Sequence, residues 1–292
     1  VLDSFILYLD LMLVVHGGSN YYTNMKLGIV GHGFVGSSIN QGFTKNVKKY
    51  IVDPKYYSAN TIESLIQFKP QATFIAVPTP QLETGECNTD ILQDVLQKLN
   101  KYKGHLVIVK STVPAYKLQA LQDECVDLKI VYNPEFLTEK NHIEDFKNPP
   151  MHVFGGTLSN TNDVEKLYKE HSTCNPCPVY KTDIVTASMV KYCINSFLAT
   201  KVTFMNEMYD VLRAARGCDW KTFLKIIQSD PRIGKTHMKV PGNDGQRGYA
   251  GSCFPKDTNA LAWFAREILN TPFTQLETSI KINDTLRKRN QS

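Results

Sequence analysis

The chain has 292 residues, of which 42% are hydrophobic, and a formal net charge of +5, enough to bury a sizeable core in two ordinary domains. Its basic residues are scattered, with no dense run and no interleaved aromatics, which argues against nucleic acid as a partner and suits an anionic small-molecule substrate. Seven cysteines at irregular spacing, without a secretory signature, point to reduced thiols and a cytoplasmic setting.

Residues 1–24 include an apolar run from Phe5 to Val15, interrupted by Asp10 and too short to span a bilayer. Neither a signal peptide nor a membrane anchor is predicted. Met25 immediately precedes the first strand, so 1–24 are expected to be an upstream extension outside the fold.

From Lys26 onward strand and helix patterns alternate. Residues 27–30 read as a buried strand that runs directly into Gly31-His32-Gly33-Phe34-Val35-Gly36 and an apolar-periodic helix. In that context the glycines form a dinucleotide fingerprint. Gly31 makes the tight turn, Gly33 lets a pyrophosphate reach the backbone, Gly36 allows helix to pack on strand, and the helix start at Phe34 and Val35 faces the phosphates. A second strand at 49–52 ends in Asp53, 22 residues after Gly31, where a carboxylate holds ribose hydroxyls and repels a 2′-phosphate. NAD is therefore the expected cofactor, with Lys55 offsetting that repulsion in part.

Further strands are predicted at 72–77, 106–110, 129–132 and 152–155, and helices near 37–43, 62–68, 89–99, 116–125 and 163–171. This alternation implies an α/β, Rossmann-type, doubly wound parallel sheet over residues 25–182. Ligands bind at the carboxyl ends of such strands. Ser111-Thr112-Val113-Pro114 and Asn133-Pro134-Glu135-Phe136-Leu137 are delivered to that edge, although Thr112 and Glu135 also suit simple capping roles. Cys174-Asn175-Pro176-Cys177 has zinc-like spacing but no second pair, so a turn is expected there and no metal.

After Thr182 the pattern becomes helical, predicting an all-α second domain over 183–292. Its apolar-periodic runs are 187–212, 223–227 and 274–289, with a break at Gly217. Lys191 and Asn195 are four apart and share a face of the first helix, whose circumference is mostly apolar. Lys191 is either buried for a reason or snorkels at a domain edge. Near the end stands Gly248-Tyr249-Ala250-Gly251-Ser252-Cys253-Phe254-Pro255-Lys256-Asp257. A cysteine between glycines and a helix start suits a nucleophile, with the helix N-terminus and Lys256 expected to favour thiolate. The alternative is a small buried hydrophobe.

These motifs resemble the UDP-glucose/GDP-mannose dehydrogenase family from residue 26 to about 289. The likeness rests on the fingerprint at Gly31, Phe74-Ile75-Ala76-Val77-Pro78-Thr79-Pro80, Lys110-Ser111-Thr112-Val113-Pro114, Asn133-Pro134-Glu135-Phe136-Leu137, Lys191-Tyr192 with Asn195 to Lys201, Asn206-Glu207, Pro231-Arg232-Ile233-Gly234 and the cysteine motif. The resemblance implies an NAD-dependent enzyme taking a nucleotide-sugar alcohol to a carboxylate in two hydride transfers, with UDP-glucose the first candidate and GDP-mannose or a UDP-N-acetylhexosamine its relatives. Cys253 would hold the intermediate as a thiohemiacetal and then a thioester. By the same resemblance Lys191 and Asp257 position the water or base that takes the alcohol proton, Asn195 and Thr112 support that water, and Glu135 serves thioester hydrolysis. Gly31, Gly33, Phe34, Val35, Gly36, Asp53, Lys55, Thr79, Pro80, Thr112, Glu139 and Cys253 would contact the cofactor. Glu135, Phe136, Leu137, Lys191, Asn195, Arg232, Tyr249 and Gly251 would contact the substrate, with the loop from Val240 to Gly251 contributing. Arg232 would reach a neighbouring subunit, implying a homodimer through the helical domain.

The chain departs from the family pattern at Ala250 and Lys140, where glycine is usual, and at Ser188, where glutamate is frequent. It has no counterpart of the family's C-terminal nucleotide-binding domain, which leaves a fragment and a compact member as alternatives. A one-step 6-phosphogluconate-type hydroxyacid dehydrogenase, or a non-catalytic NAD- or nucleotide-sugar-binding module, stand as other readings.

Overall fold

The computed structural model describes residues 25–217 and 219–289; the expected extension at 1–24 lies outside them. Seven strands, β1 (Met25–Val30), β2 (Val47–Val52), β3 (Ala72–Ile75), β4 (Leu106–Val109), β5 (Lys129–Tyr132), β6 (His152–Gly155) and β7 (Val179–Thr182), form one sheet in the order β2-β1-β3-β4-β5-β6-β7. The first six helices are α1 (Phe34–Gly42), α2 (Ile62–Phe68), α3 (Asp90–Leu99), α4 (Ala115–Glu124), α5 (His142–Lys147) and α6 (Leu158–His171).

Both faces of the sheet are covered, which is why its strands read as unbroken apolar runs. Successive residues point to opposite faces. Val30, Ile75, Val109 and Tyr132 pack with Leu65, Leu96 and Leu121 on one side. Ile29, Phe74, Ile108 and Val131 pack with Phe43, Phe146 and Tyr168 on the other.

The sheet is mostly rather than wholly parallel. β1 to β5 are parallel, whereas β6 pairs antiparallel with β5 through Tyr132 and Gly155, and β7 runs parallel to β6. A parallel return needs a crossover that carries the chain back along the sheet, usually a helix. Between β5 and β6 stands α5, six residues long, which packs beside α1, so the chain re-enters from the same end.

The helical part begins where the sheet ends. Asp183 caps α7 (Ile184–Ala214), its carboxylate accepting from the Thr186 amide at 2.8 Å. Beyond the break at Gly217, where φ is +79°, come α8 (Trp220–Ile227), α9 (Phe254–Trp263) and α10 (Thr274–Arg289), with a π turn over Phe264–Ile268 after α9. α9 and α10 lie on α7, joined by Tyr192, Leu261, Phe264 and Leu276. α7 also packs against α4, β5 and β6, so it closes the carboxyl edge of the sheet. Ser188 fastens this contact, its hydroxyl donating to the Val113 carbonyl at 2.7 Å.

Candidate active site

The turn between β1 and α1 has the shape its sequence demands. Gly31 has φ +89°, and a Cβ there would lie 2.4 Å from the Ala76 carbonyl oxygen. A Cβ on Gly36 would lie 1.9 Å from the Gly31 oxygen, whereas one on Gly33 would meet nothing within 4 Å. Gly31 and Gly36 are thus required by the protein's own packing. Gly33 borders open space at the α1 N-terminus, where no side chain caps the helix. Unpaired amides at such an end are a seat for an anion.

Asp53, at the end of β2, accepts from the His32 amide at 2.7 Å, the Lys55 amide at 2.8 Å and the Tyr56 amide at 3.2 Å. Burial alone would raise its pKa, but these amides outweigh it and hold the carboxyl below its usual range. Lys55 joins this turn through its backbone, with its ammonium 5.1 Å from the centre of the Tyr56 ring. The glycine cradle, the uncapped helix end and the ionised carboxylate fit the phosphates and ribose of a dinucleotide.

Across the edge, β3 and β4 deliver two loops that lock together. The buried Thr79 donates its hydroxyl to the Thr112 carbonyl at 2.8 Å, and Ser111 donates to the Val77 carbonyl at 2.7 Å. The Thr79 hydroxyl is therefore spent on loop geometry, while Pro80 stands exposed beside it.

The centre of the site is a buried pair. Lys191 is 3% exposed and Glu135 6%. The Lys191 ammonium donates to the Glu135 carbonyl at 2.7 Å and to its Oε1 at 3.0 Å, and lies 5.6 Å from the centre of the Phe136 ring. Glu135 Oε2 accepts from the Leu137 amide at 2.6 Å, so this carboxylate both caps its turn and pairs with the lysine. Burial alone would push Lys191 down. The Glu135 and Asp257 carboxylates reverse that and hold it above its ordinary value, fully charged.

One turn along α7, Asn195 donates to Asp257 Oδ2 at 2.6 Å, and Lys256 pairs with Asp257 Oδ1 at 2.5 Å. Asp257 is completely buried. Cys253 occupies the N-cap of α9, with Pro255 in the first turn. Its thiol lies within electrostatic reach of Glu135, Lys191 and Asp257. Contrary to expectation, the resting thiol is pushed up rather than down. Burial is the main cause, the two carboxylates add to it, and contact with Ser252 and the Lys191 cation oppose it. The Lys256 charge is committed to Asp257 and does not serve the sulfur.

Cys253 opens onto a cavity of about 570 Å³ whose walls include Glu139, His237, Lys239, Tyr249, Gly251 and Arg287, a volume suited to a small-molecule ligand. Ser252 donates a short hydrogen bond to Glu139 and lies 3.6 Å from the Cys253 sulfur. The loop from Val240 to Gly251 is anchored by residues to which the sequence assigned no role. Asn283 accepts from the Tyr249 amide at 2.7 Å and donates to its carbonyl at 3.1 Å. Arg287 donates to the same carbonyl at 3.1 Å, and Asn206 accepts from the Gly248 amide at 3.3 Å. Gly251 needs its freedom, at φ +83°, whereas Ala250 does not have a positive φ. Arg232 stands apart from the cluster, its side chain 86% exposed and paired with Asp230 at 2.6 Å. Cys174 donates to the Phe146 carbonyl at 3.0 Å and packs against the sheet core.

Comparison with known proteins fits this geometry. Residues 37–172 match the NAD binding domain of the UDP-glucose/GDP-mannose dehydrogenase family, and residues 185–285 match the central domain of the same family. The chain belongs to this family. Among curated family members, UDP-glucose 6-dehydrogenase YwqF of Bacillus subtilis is 35% identical over 221 residues, 72% of this chain and 48% of YwqF. UDP-glucose 6-dehydrogenase TuaD of the same organism is 32% identical over 256 residues, 84% of this chain and 53% of TuaD. The chain spans about half the length of these curated relatives. A solved UDP-glucose dehydrogenase from Pyrobaculum islandicum superposes with a TM-score of 0.78 at 27% identity, covering 92% of this chain and 70% of that one. The 3-hydroxyisobutyrate dehydrogenase of Mycobacterium tuberculosis shares the fold alone, with a TM-score of 0.67 at 14% identity over 89% of this chain and 93% of that one.

Proposed function

We propose that this chain carries the NAD-binding and central domains of a nucleotide-sugar 6-dehydrogenase that oxidises UDP-glucose to UDP-glucuronate. The observation that carries the reading is the buried Lys191–Glu135 pair beside Asn195, Asp257 and a thiol that opens onto the large cavity. A one-step hydroxyacid dehydrogenase has no use for that thiol.

The α1 N-terminus at Gly33, with Asp53, would hold the cofactor's pyrophosphate and ribose. NAD, when bound, would supply the hydride acceptor at both oxidation levels. Asp257, oriented by Asn195, and the Lys191 ammonium order the water that takes the alcohol proton. Between the two oxidations Cys253 holds the aldehyde level: an S–C bond forms and the thiol proton passes to the carbonyl oxygen. At the acid level Glu135 takes a proton from water, the water oxygen bonds to the thioester carbon, the C–S bond breaks and sulfur recovers a proton. Lys191, kept charged, faces each oxyanion.

The reading includes a homodimer. On α7 the exposed Phe197, Phe204 and Val211 recur at seven-residue spacing, an apolar stripe suited to helix packing. The outward Arg232 suits contact with a neighbouring subunit's substrate.

A panel of nucleotide sugars with NADH stoichiometry tests the reaction. Two NADH per UDP-glucose are expected, and Cys253→Ser should release no acid. Unimpaired acid release by that variant refutes the covalent route. One NADH per substrate with harmless thiol alkylation would favour the hydroxyacid reaction, and NAD binding without reduction of any kind would favour a binding module.

A further inference from the structure

Lys110 is a second buried lysine, and nothing above uses it. It immediately follows β4, as Asn133 follows β5, so the two stand side by side at the carboxyl edge. The Lys110 ammonium donates to Asn133 Oδ1 at 3.0 Å, an oxygen that also accepts from the Tyr168 hydroxyl at 2.8 Å. Asn133 is held in turn, its amide nitrogen donating to the Val153 carbonyl at 3.0 Å. Lys110 is 6% exposed, and its partner is a neutral amide, whereas Lys191 has a carboxylate. A buried ammonium so poorly matched is rare unless its charge is used.

Its position relative to the reaction is specific. Two residues beyond Lys110 is Thr112, and two beyond Asn133 is Glu135. Lys110 and Glu135 line one cavity of about 30 Å³ together with Pro134, Phe136 and His152, room for a water. The charged and titratable groups around it are Glu135 from the β5 loop, Asp145 from α5, His152 from β6, Tyr168 from α6, Cys174 and Lys191. Burial lowers Lys110 to about 8, the Glu135 carboxylate and then Cys174 oppose this, and Lys191 adds to it. His152 is lowered to about 4 by burial and by Lys110, and Tyr168 is raised well above its usual range by burial. Between about pH 4 and 8 both are neutral while Lys110 is charged.

We propose that Lys110 is a positioning residue for Glu135: its amine ties the strand end carrying Thr112 to the one carrying Glu135, and stands as a second cation behind the carboxylate. The proposal rests on the reading that Glu135 takes the proton of the hydrolytic water.

The test compares the pH profiles of kcat and kcat/KM for the full chain, Lys110→Met and Lys110→Gln, using the nucleotide sugar that the wild type oxidises. Lys110→Gln keeps a donor for Asn133 without the charge, and it carries the test if the methionine variant does not fold. The expected loss is on the order of ten- to hundredfold in kcat, with KM and the NAD Kd nearly unchanged. The loss should fall on kcat at every pH of the profile and spare KM, the split expected when a base is misplaced. A purely structural lysine would lower the yield of folded protein and leave the profile superimposed on the wild type, which overturns the proposal. A wild type that releases no acid refutes the dehydrogenase reading instead, so the two failures are distinct.

Discussion

At the residue scale, the most consequential contact is the ion pair between Lys191 and Glu135, because burial makes each partner depend on the other. Removing one member strands an unpaired buried charge, typically at a cost of several kcal/mol, whereas replacing both with apolar groups is often neutral or better. Lys191→Ala is therefore expected to destabilise the protein by about 3–5 kcal/mol, read from urea unfolding. Lys191→Met with Glu135→Leu should recover most of that loss while abolishing turnover. The pH dependence has a definite sign. The folded-state pKa of Lys191 lies above its ordinary value of 10.5, so its contribution is complete below that pH and is lost as pH rises through the folded value. Above about pH 10.5 the wild type should lose stability more steeply than the double variant, and unfolding midpoints across that range check this.

At the element scale, the β1–α1 turn separates residues required for folding from those required for binding. Gly36→Ala drives a methyl group into the Gly31 carbonyl and should lower the thermal midpoint markedly. Gly33→Ala meets open space, so it should leave stability nearly intact while weakening NAD binding tenfold or more, on the order of 1.4 kcal/mol. Calorimetric titration beside a thermal melt distinguishes the two. This turn, the first six strands and every helix but the six-residue α5 were legible because apolar runs and glycine spacing are local signals. β7 was not, since Val179–Thr182 is a partly exposed edge strand without an apolar run. Nor was the reversal at β6, which depends on how far α5 carries the chain. In the site, Lys191 and Asn195 were readable from their shared helical face. The partners that decide their chemistry lie 56 and 62 residues away in sequence, and no local pattern announces such contacts. The expectation of an activated thiolate failed because the fold buries Cys253 and brings the Glu135 and Asp257 carboxylates near it, and burial is the larger cause.

At the scale of the whole molecule, the stripe on α7 makes association testable apart from chemistry. Phe204→Glu should halve the mass measured by light scattering while leaving NAD affinity unchanged. A wild type that is already monomeric at micromolar concentration would contradict the homodimer. Turnover should fall with dissociation if Arg232 serves the neighbouring site. The stripe shares with Lys191 and Asn195 one rod of 31 residues, about 46 Å long, and that continuity has a genetic consequence. A single inserted codon after Asn195 would advance everything beyond it by roughly 100° in angular phase, turning Phe204 and Val211 off their face even with every side chain retained. The length of α7 is thus as constrained as its composition, and tolerance to insertions should collapse along this helix while surviving in the turns that flank it.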